Sequence, residues 1–406
     1  MTRRWYIGLS SGSSLFGVDA ALVRVEGQGT DMALALERFV HLPYSRELRE
    51  LLWTVRTTAT PELRHVATLH RVLGETFGLA VRQLLEQSRL PVQQIYAIGC
   101  PGQELWHDPE ARYPACMSLG MTSVVAERTG LTTLSDFSSR DLAVGGQGLP
   151  LTALCDALLF HDPREHRILV HLGSVATMIV LPAQVGGNWR NVTGFQAAPG
   201  TMLLDGLMRL LTHDREPFDT GGKHAVQGRC LEPLLERWLH DSFFHRPPPK
   251  CVSRQAFGAD FLNRVIEQGK QLQGSLHDVL CTMTHFVARA ILHAMEHYIG
   301  VRPARVLLSG RGIRNGLLWR LLEHKLGTIP LEKTDAYGIP AEARKAVAYA
   351  GLAALTMDGV PINLPSVTGA VGPRLLGQFT PGSSGNWARC LAWMARQAAP
   401  LQSAAA

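Results

Sequence analysis

Apolar residues recur along this chain in two rhythms. From Glu47 to Arg56 and from Thr60 to Ser88 they fall three and four apart, the second run placing Leu63, Val66, Leu69, Val72, Leu73, Phe77, Leu79, Val81 and Leu84 on one stripe. That is helical spacing with a buried face. Met202–Leu211, Ser275–Ile299 and Ala341–Met357 read the same way. Short continuous apolar runs predict buried strands at Trp5–Leu9, Ala20–Val25, Val92–Cys100, Leu131–Phe137, Ile168–Leu172 and Ala304–Leu308. Strands interleaved with helices predict an α/β protein.

Two stretches share one design. Trp5–Val25 reads as strand, Gly/Ser turn, strand, and His166–Val180 repeats it with Gly173-Ser174 at the turn. Two such hairpins about half a chain apart suggest a duplicated architecture, one hairpin per lobe. A length of 406 residues fits two domains. The expected division is a first lobe over 1–145 with about 358–379, a second lobe over 146–357, and a loosely ordered, Gly/Ser/Ala-rich tail over 380–406, with a short helix around Trp387–Gln397.

Composition narrows the class. Hydrophobic residues make up 46% and charged residues 18%, so the chain is globular. The net charge is +6 and the pI about 9.0, but Lys and Arg are scattered, which argues against a nucleic-acid partner. An acidic small molecule, such as a nucleotide, is compatible with that balance. The seven cysteines contain no C-x-x-C pair, against a disulfide framework or a structural zinc site. The N-terminus runs straight into a strand without a signal-like apolar segment, and no stretch reaches membrane-spanning length. A cytoplasmic protein is expected.

Candidate chemistry sits in the turns. Gly12, Ser13, Ser14, Leu15, Phe16, Gly17, Val18 and Asp19 form the first turn. With no lysine it is no P-loop; it is either a phosphate cradle or a plain hairpin. Gly310, Gly312 and Asn315 lie between a strand and a helix start at Gly316, where geometry and dipole favour anions. Pro101–His107 reads as a loop at a strand's C-terminal end, with Gln103, Trp106 and His107 able to face a sugar. Arg140 suits an anionic group, unless Arg140 and Asp141 only form a surface pair beside the Gly145–Gly148 loop. Gly194–Asp205 reads as a helix entered through a Gly/Pro turn, with Gln196 in that turn.

Taken together, the motifs resemble those of the anhydro-N-acetylmuramic acid kinase family, in the sugar kinase, Hsp70 and actin-like superfamily. They are Gly12-x-Ser14-Leu15-x-Gly17-Val18-Asp19, Gly102-Gln103-x-x-Trp106-His107, Asp136-Phe137-x-x-Arg140-Asp141, Gly145-Gly146-Gln147-Gly148-x-Pro150-Leu151, Thr334-Asp335-Ala336 and Asn363–Ala370. They follow in one order over roughly residues 5–379. The resemblance implies two RNase-H-like lobes around a central cleft. It implies ATP with Mg²⁺ as cofactors, and phosphorylation of the sugar's 6-position while water opens the 1,6-anhydro ring in cell-wall recycling. A homodimer is implied too. Gly173 and Ser174 would join the nucleotide site, and Gln103, His107, Arg140, Asp141 and Lys345 would meet the sugar.

The departures fall where that chemistry is done. The family carries its general-base aspartate at the position of Gln196, and an amide takes up no proton at useful pH. Phe16 replaces an aspartate expected to order Mg²⁺ or water, so no metal ligand is assigned. His171, Ser174 and Thr177 replace Asn, Gly and Asn of the second hairpin. Arg311 replaces a glycine of the nucleotide loop, and Lys345 replaces a glutamate. Two readings stay open: a family enzyme with impaired catalysis, using Asp141 or Asp205 as a substitute base, and a non-catalytic paralogue that binds a small ligand or a protein.

Overall fold

The computed structural model describes residues 3–12, 15–58, 60–183, 189–253 and 256–403. The chain gathers into two units, Met1–Phe160 with Ala343–Ala406, and His161–Glu342. In the first, β1 (Arg3–Ser11), β2 (Gly17–Glu26) and β3 (Ala33–Pro43) run antiparallel, and β4 (Ile95–Gly99) lies parallel on β1. β5 (Gln103–Asp108) and β6 (Ala115–Leu119) form a separate hairpin, and β7 (Thr132–Ser135) continues the main sheet parallel to β4.

In the second unit, β8 (Arg167–Leu172), β9 (Val175–Leu181) and β10 (Thr193–Pro199) run antiparallel. β11 (Arg305–Ser309) lies parallel on β8 and β12 (Leu331–Lys333) parallel on β11. A last strand, β13 (Gln378–Thr380), closes the first sheet against β7. The orders are β13-β7-β4-β1-β2-β3 and β10-β9-β8-β11-β12. Each sheet therefore places its first five strands third-second-first-fourth-fifth, the first three antiparallel and the next two parallel, and the first sheet adds β13 antiparallel at its edge. The duplication read from the two hairpins is real, and each unit is RNase-H-like.

The long helix Leu63–Ser88 buries Val66, Leu69, Leu73, Phe77, Val81 and Leu84, whereas Leu63 and Leu79 are exposed. The periodicity located the helix but drew its stripe too wide. The helix Arg344–Met357 is buried along almost its whole length because alanines let it lie flat on the sheet. It crosses β1 and β4 at Gly8 and Gly99, where a Cβ would sit 1.8 Å from the Ala346 carbonyl oxygen and 2.1 Å from that of Tyr349. Its first turn is tied to the helix Ala153–Phe160: Arg344 Nε donates to Asp156 at 2.7 Å, and Thr152 Oγ1 donates to the same carboxylate at 2.9 Å. These contacts put the unit boundaries at 160/161 and 342/343, rather than at 145/146 and 357/358.

The expected loose tail is instead a helix, Ser384–Ser403. Its Gly, Ser and Ala content suggested looseness, but the buried residues Asn386, Cys390 and Trp393 tie it to the first unit. Asn386 Oδ1 accepts the N–H and hydroxyl of Thr132 at 2.7 and 2.6 Å, and its Nδ2 donates to the Tyr96 carbonyl at 3.0 Å. Trp393 Nε1 donates to Asp358 at 2.7 Å. Asp358 also accepts from Arg4 Nη2 at 2.9 Å and from the Gly29 N–H at 2.8 Å, and the Arg4 guanidinium lies 4.2 Å from the Trp393 ring centroid. Among the described residues, no helix is long and apolar enough to cross a membrane.

Candidate functional site

In the second unit three turns meet. The β8–β9 turn presents the Gly173 and Ser174 carbonyls to the start of the helix Thr201–Thr212: Thr201 N–H donates to Gly173 at 2.8 Å and Met202 N–H to Ser174 at 3.2 Å. In a trans peptide the next N–H points the opposite way, so the amides of Ser174 and Val175 face away from the helix. The loop after β11 packs against the same turn. A Cβ on Gly310 would lie 2.5 Å from the Leu172 carbonyl oxygen, and one on Gly312 would lie 3.0 Å from Thr201 Cγ2. Asn315 caps the next helix, its side chain accepting the Leu318 N–H at 3.0 Å. Gly173, Ser174, Gly310, Gly312 and Asn315 thus lie in one region of the second unit.

The substituted side chains there are built into the unit. His171 Nδ1 is hydrogen-bonded to Ser309 Oγ at 3.0 Å. Arg311 does not stand alone in the loop. It lies 3.8 Å from Glu342, which also takes Arg314 at 2.6 Å.

Gln196 lies within β10 rather than in a turn at a helix entrance; its flanking alanines and Phe195 are strand-compatible and buried. Its Oε1 accepts the Val252 N–H at 2.8 Å, and its own N–H donates to the Lys250 carbonyl at 3.2 Å. Residues 250–252 therefore run beside β10 and hold the amide. Lys250 is buried, donates to the Phe243 carbonyl at 3.0 Å, and sits 4.3 Å from the Tyr298 ring centroid and 4.7 Å from that of Phe243. Burial, with Arg246 nearby, pushes its ammonium down to about 8. Nothing in the apolar/polar pattern pointed to Lys250 or Val252.

The two candidate substitute bases differ. Asp141 is fully buried and saturated, accepting from the Gly148 N–H at 2.8 Å, Asn363 Nδ2 at 2.7 Å and Thr368 Oγ1 at 2.8 Å. It anchors the glycine loop. Asp205, on the first turns of the helix Thr201–Thr212, accepts from Thr201 Oγ1 at 3.0 Å. Burial pushes its carboxyl up to about 7, partly offset by the Thr201 bond.

In the first unit, Gln103 and His107 fall on the buried face of β5, a strand where a loop was expected. Tyr44, Ser11 and Gln103 form a chain. The Tyr44 and Ser11 hydroxyls are 2.5 Å apart, and Ser11 donates to Gln103 Oε1. Gln103 Nε2 is buried and has no hydrogen-bond partner among the described residues. Tyr44 and Ser11 had escaped notice because neither residue carries a spacing signal. His107 Nε2 donates to the Gln147 carbonyl at 2.8 Å. Arg140 is exposed and donates to the Leu375 carbonyl at 2.9 Å, so with Asp141 buried the two form no surface pair. Lys345 is half-buried beside Arg344.

The first turn is mixed. Ser13 and Ser14 lie outside the described residues, and Gly12 accepts the Leu15 N–H at 3.1 Å. Leu15 and Val18 point into the core rather than to a ligand. Phe16 accepts the Tyr44 N–H at 3.0 Å through its carbonyl, Gly17 opens β2, and Asp19 is 2.7 Å from His41 Nδ1 across the β2–β3 pair. Among the described residues, no group of three or more His, Cys, Asp or Glu side chains is arranged to hold a metal.

Comparison with known proteins matches residues 4–382 to the family model described as anhydro-N-acetylmuramic acid kinase. Among curated relatives, the anhydro-N-acetylmuramic acid kinase of Salinibacter ruber is 36% identical over 387 residues, covering 93% of this chain and 96% of its own. That of Gloeobacter violaceus is 37% identical over 366 residues, covering 90% and 95%. Among solved structures, the activator of 2-hydroxyisocaproyl-CoA dehydratase from Clostridium difficile aligns over 86% of this chain at 12% identity, with a TM-score of 0.43.

Proposed function

Because the chain belongs to the anhydro-N-acetylmuramic acid kinase family, we propose that it catalyses ATP-dependent phosphorylation of 1,6-anhydro-N-acetylmuramic acid with hydrolytic ring opening, at a reduced rate. The observation that carries this reading is Gln196. Its amide, held through Oε1 by the Val252 N–H, stands where the family resemblance places the water-activating carboxylate. Losing a general base costs typically about two to four orders of magnitude.

The residues fit a nucleotide's phosphates. Glycines at 173, 310 and 312 bring backbone to close approach, and the Ser174 and Val175 amides face away from the helix that their carbonyl neighbours cap. Mg²⁺ bound to ATP takes most of its ligands from phosphate and water, so it needs few protein carboxylates and fits the sparse donor set here. When bound, ATP and Mg²⁺ supply the phosphoryl group and screen its charge. Gln103 Nε2, buried and unpartnered, supports a sugar hydroxyl or carbonyl as its acceptor. Amino-sugar salvage in the cytoplasm is the process this activity would serve.

A second reading is a non-catalytic binder. It is favoured by the way His171, Gln196 and Arg311 have each acquired an intramolecular partner. The deciding test is single-turnover phosphoryl transfer with ATP, Mg²⁺ and the anhydro sugar, for the unmodified protein and Gln196→Asp. Slow transfer, raised about 10²-fold or more by the substitution, is expected. Silence from both proteins sinks the enzyme reading.

A further inference from the structure

We infer that Asp205 takes up the proton of the attacking water in this chain, in place of the carboxylate missing at position 196. The inference rests on the proposed kinase–hydrolase reading. In the step concerned, the water oxygen bonds to C1, the C1–O6 bond of the anhydro bridge breaks, O6 bonds to the γ-phosphorus of ATP as its bond to the β–γ bridging oxygen breaks and ADP leaves, and the water proton passes to the Asp205 carboxylate.

Placement is the first argument. Asp205 follows Gln196 by one strand end and one helical turn. Its only hydrogen-bond donor recorded among the described residues, Thr201, is the residue at which the three turns meet. Thr201 N–H is bonded to the Gly173 carbonyl, Thr201 Cγ2 lies against the Gly312 position, and Thr201 Oγ1 reaches Asp205. The carboxyl is therefore held at the edge of the glycine-built region, with one oxygen engaged.

Elimination is the second. Asp141 accepts from three partners and is committed to anchoring its loop. In the second unit Asp219 accepts the His224 and Ala225 N–H groups, Asp335 accepts the Ala341 N–H, and Glu342 takes two arginines. Asp205 enters no ion pair among those recorded. Arg209 on its own helix pairs with Asp214. On the packed neighbours, Arg311 lies by Glu342, His171 is bonded to Ser309, Lys270 pairs with Glu267, and Arg289 pairs with Glu232 and Glu236. Asp278 caps its own helix. Burial, offset in part by the Thr201 bond, brings the carboxyl to titrate near 7, close to the optimum for a general base at neutral pH.

The test is the single-turnover rate against pH from 5 to 9 for the unmodified protein, Asp205→Asn, Asp205→Glu and Gln196→Asp, with ATP affinity measured by calorimetry in parallel. The unmodified protein should show a rising limb that levels off just above pH 7. Asp205→Asn should lose the limb and about 10²-fold or more in rate while binding ATP unchanged, and Asp205→Glu should recover part of both. Gln196→Asp should move the limb to lower pH, because Val252 N–H would stabilise a carboxylate there. An Asp205→Asn protein that keeps the rate and the limb overturns the inference and leaves the kinase reading standing. Loss of ATP binding in that variant makes Asp205 a nucleotide-positioning residue and overturns it too. No turnover by the unmodified protein at any pH overturns both the inference and the reading.

Discussion

Asp205 should be a stability liability that grows with pH, whatever its chemical role. Its folded carboxyl titrates near 7, well above the ordinary carboxylate range, because burial disfavours the charge and only Thr201 compensates. The sign follows from proton counting. Below about pH 4 both folded and unfolded chains are protonated there, and the group has no effect. Between about pH 4 and 7 the unfolded chain releases its proton while the folded chain keeps it. Folding stability then falls by about 1.4 kcal/mol per pH unit. Above 7 the deficit is constant, with a ceiling of about 4 kcal/mol; residual solvent contact at this partly accessible site brings the expectation to about 2–3 kcal/mol. Asp205→Asn removes the charge and retains an acceptor for Thr201 Oγ1. The variant should match the unmodified protein at pH 4 and exceed it at pH 8, by roughly 4–12 °C in the melting temperature of a unit of this size. Differential scanning calorimetry at both pH values, with the transitions of the two units resolved, measures it. Parallel melting curves across that range, or a variant that melts lower at pH 8, would refute the assigned burial.

Two further outcomes follow from buried polar groups. Asp358→Asn strands the fully buried Arg4 guanidinium and weakens the Trp393 bond to the last helix, so the first unit should lose about 3–5 kcal/mol in urea unfolding; a loss under 1 kcal/mol would show that water reaches Arg4. Gln103→Leu removes an amide whose nitrogen has no partner among the described residues but whose oxygen accepts from Ser11, so it should cost about 1–3 kcal/mol in stability while KM for the sugar rises about tenfold or more; an unchanged KM would remove Gln103 from the sugar site.

The central strands of both units and their long helices were legible because their buried faces are apolar and periodic, whereas β3, β5, β6, β10, β12 and β13 were not read. The Ala341–Met357 and Ser275–Ile299 runs became the helices Arg344–Met357 and Leu276–Tyr298. The last helix was legible only as a short piece around Trp387–Gln397; its full extent, Ser384–Ser403, and its anchoring were not, because Asn386, Cys390 and Trp393 bury polar atoms against Thr132, Tyr96 and Asp358, partners more than thirty residues away. Domain boundaries were missed for a related reason. Gly8 and Gly99 accept the helix Arg344–Met357 by being small, and no spacing rule assigns a helix to the sheet it crosses. At the site, turns rich in glycine showed where backbones converge, yet could not show that Leu15 and Val18 serve the core, or that Asp141 is an anchor rather than a reagent. Those roles depend on who donates to whom, which is fixed only by tertiary contact.

The substitutions are therefore better read by their partners than by their identities. His171 leans on Ser309, Gln196 on Val252, and Arg311 on Glu342. Each of these side chains has a partner inside the second unit, and Gly173, Gly310 and Gly312 still bring backbone to close approach there. Selection for stability alone would act against a feature of both Asp205 and Gln103. The first is an acid whose penalty rises with pH, and the second holds an amide nitrogen with no partner among the described residues. Asparagine at 205 would keep an acceptor for Thr201 and shed the charge, and leucine at 103 would shed the amide nitrogen at the expense of the Ser11 bond. Stability is commonly spent at functional sites and seldom elsewhere. One costly polar group in each unit, the first on a strand that resemblance assigns to the sugar and the second beside the turns suited to phosphate, is what a chain still handling a phosphorylated sugar would keep and a bare scaffold would shed.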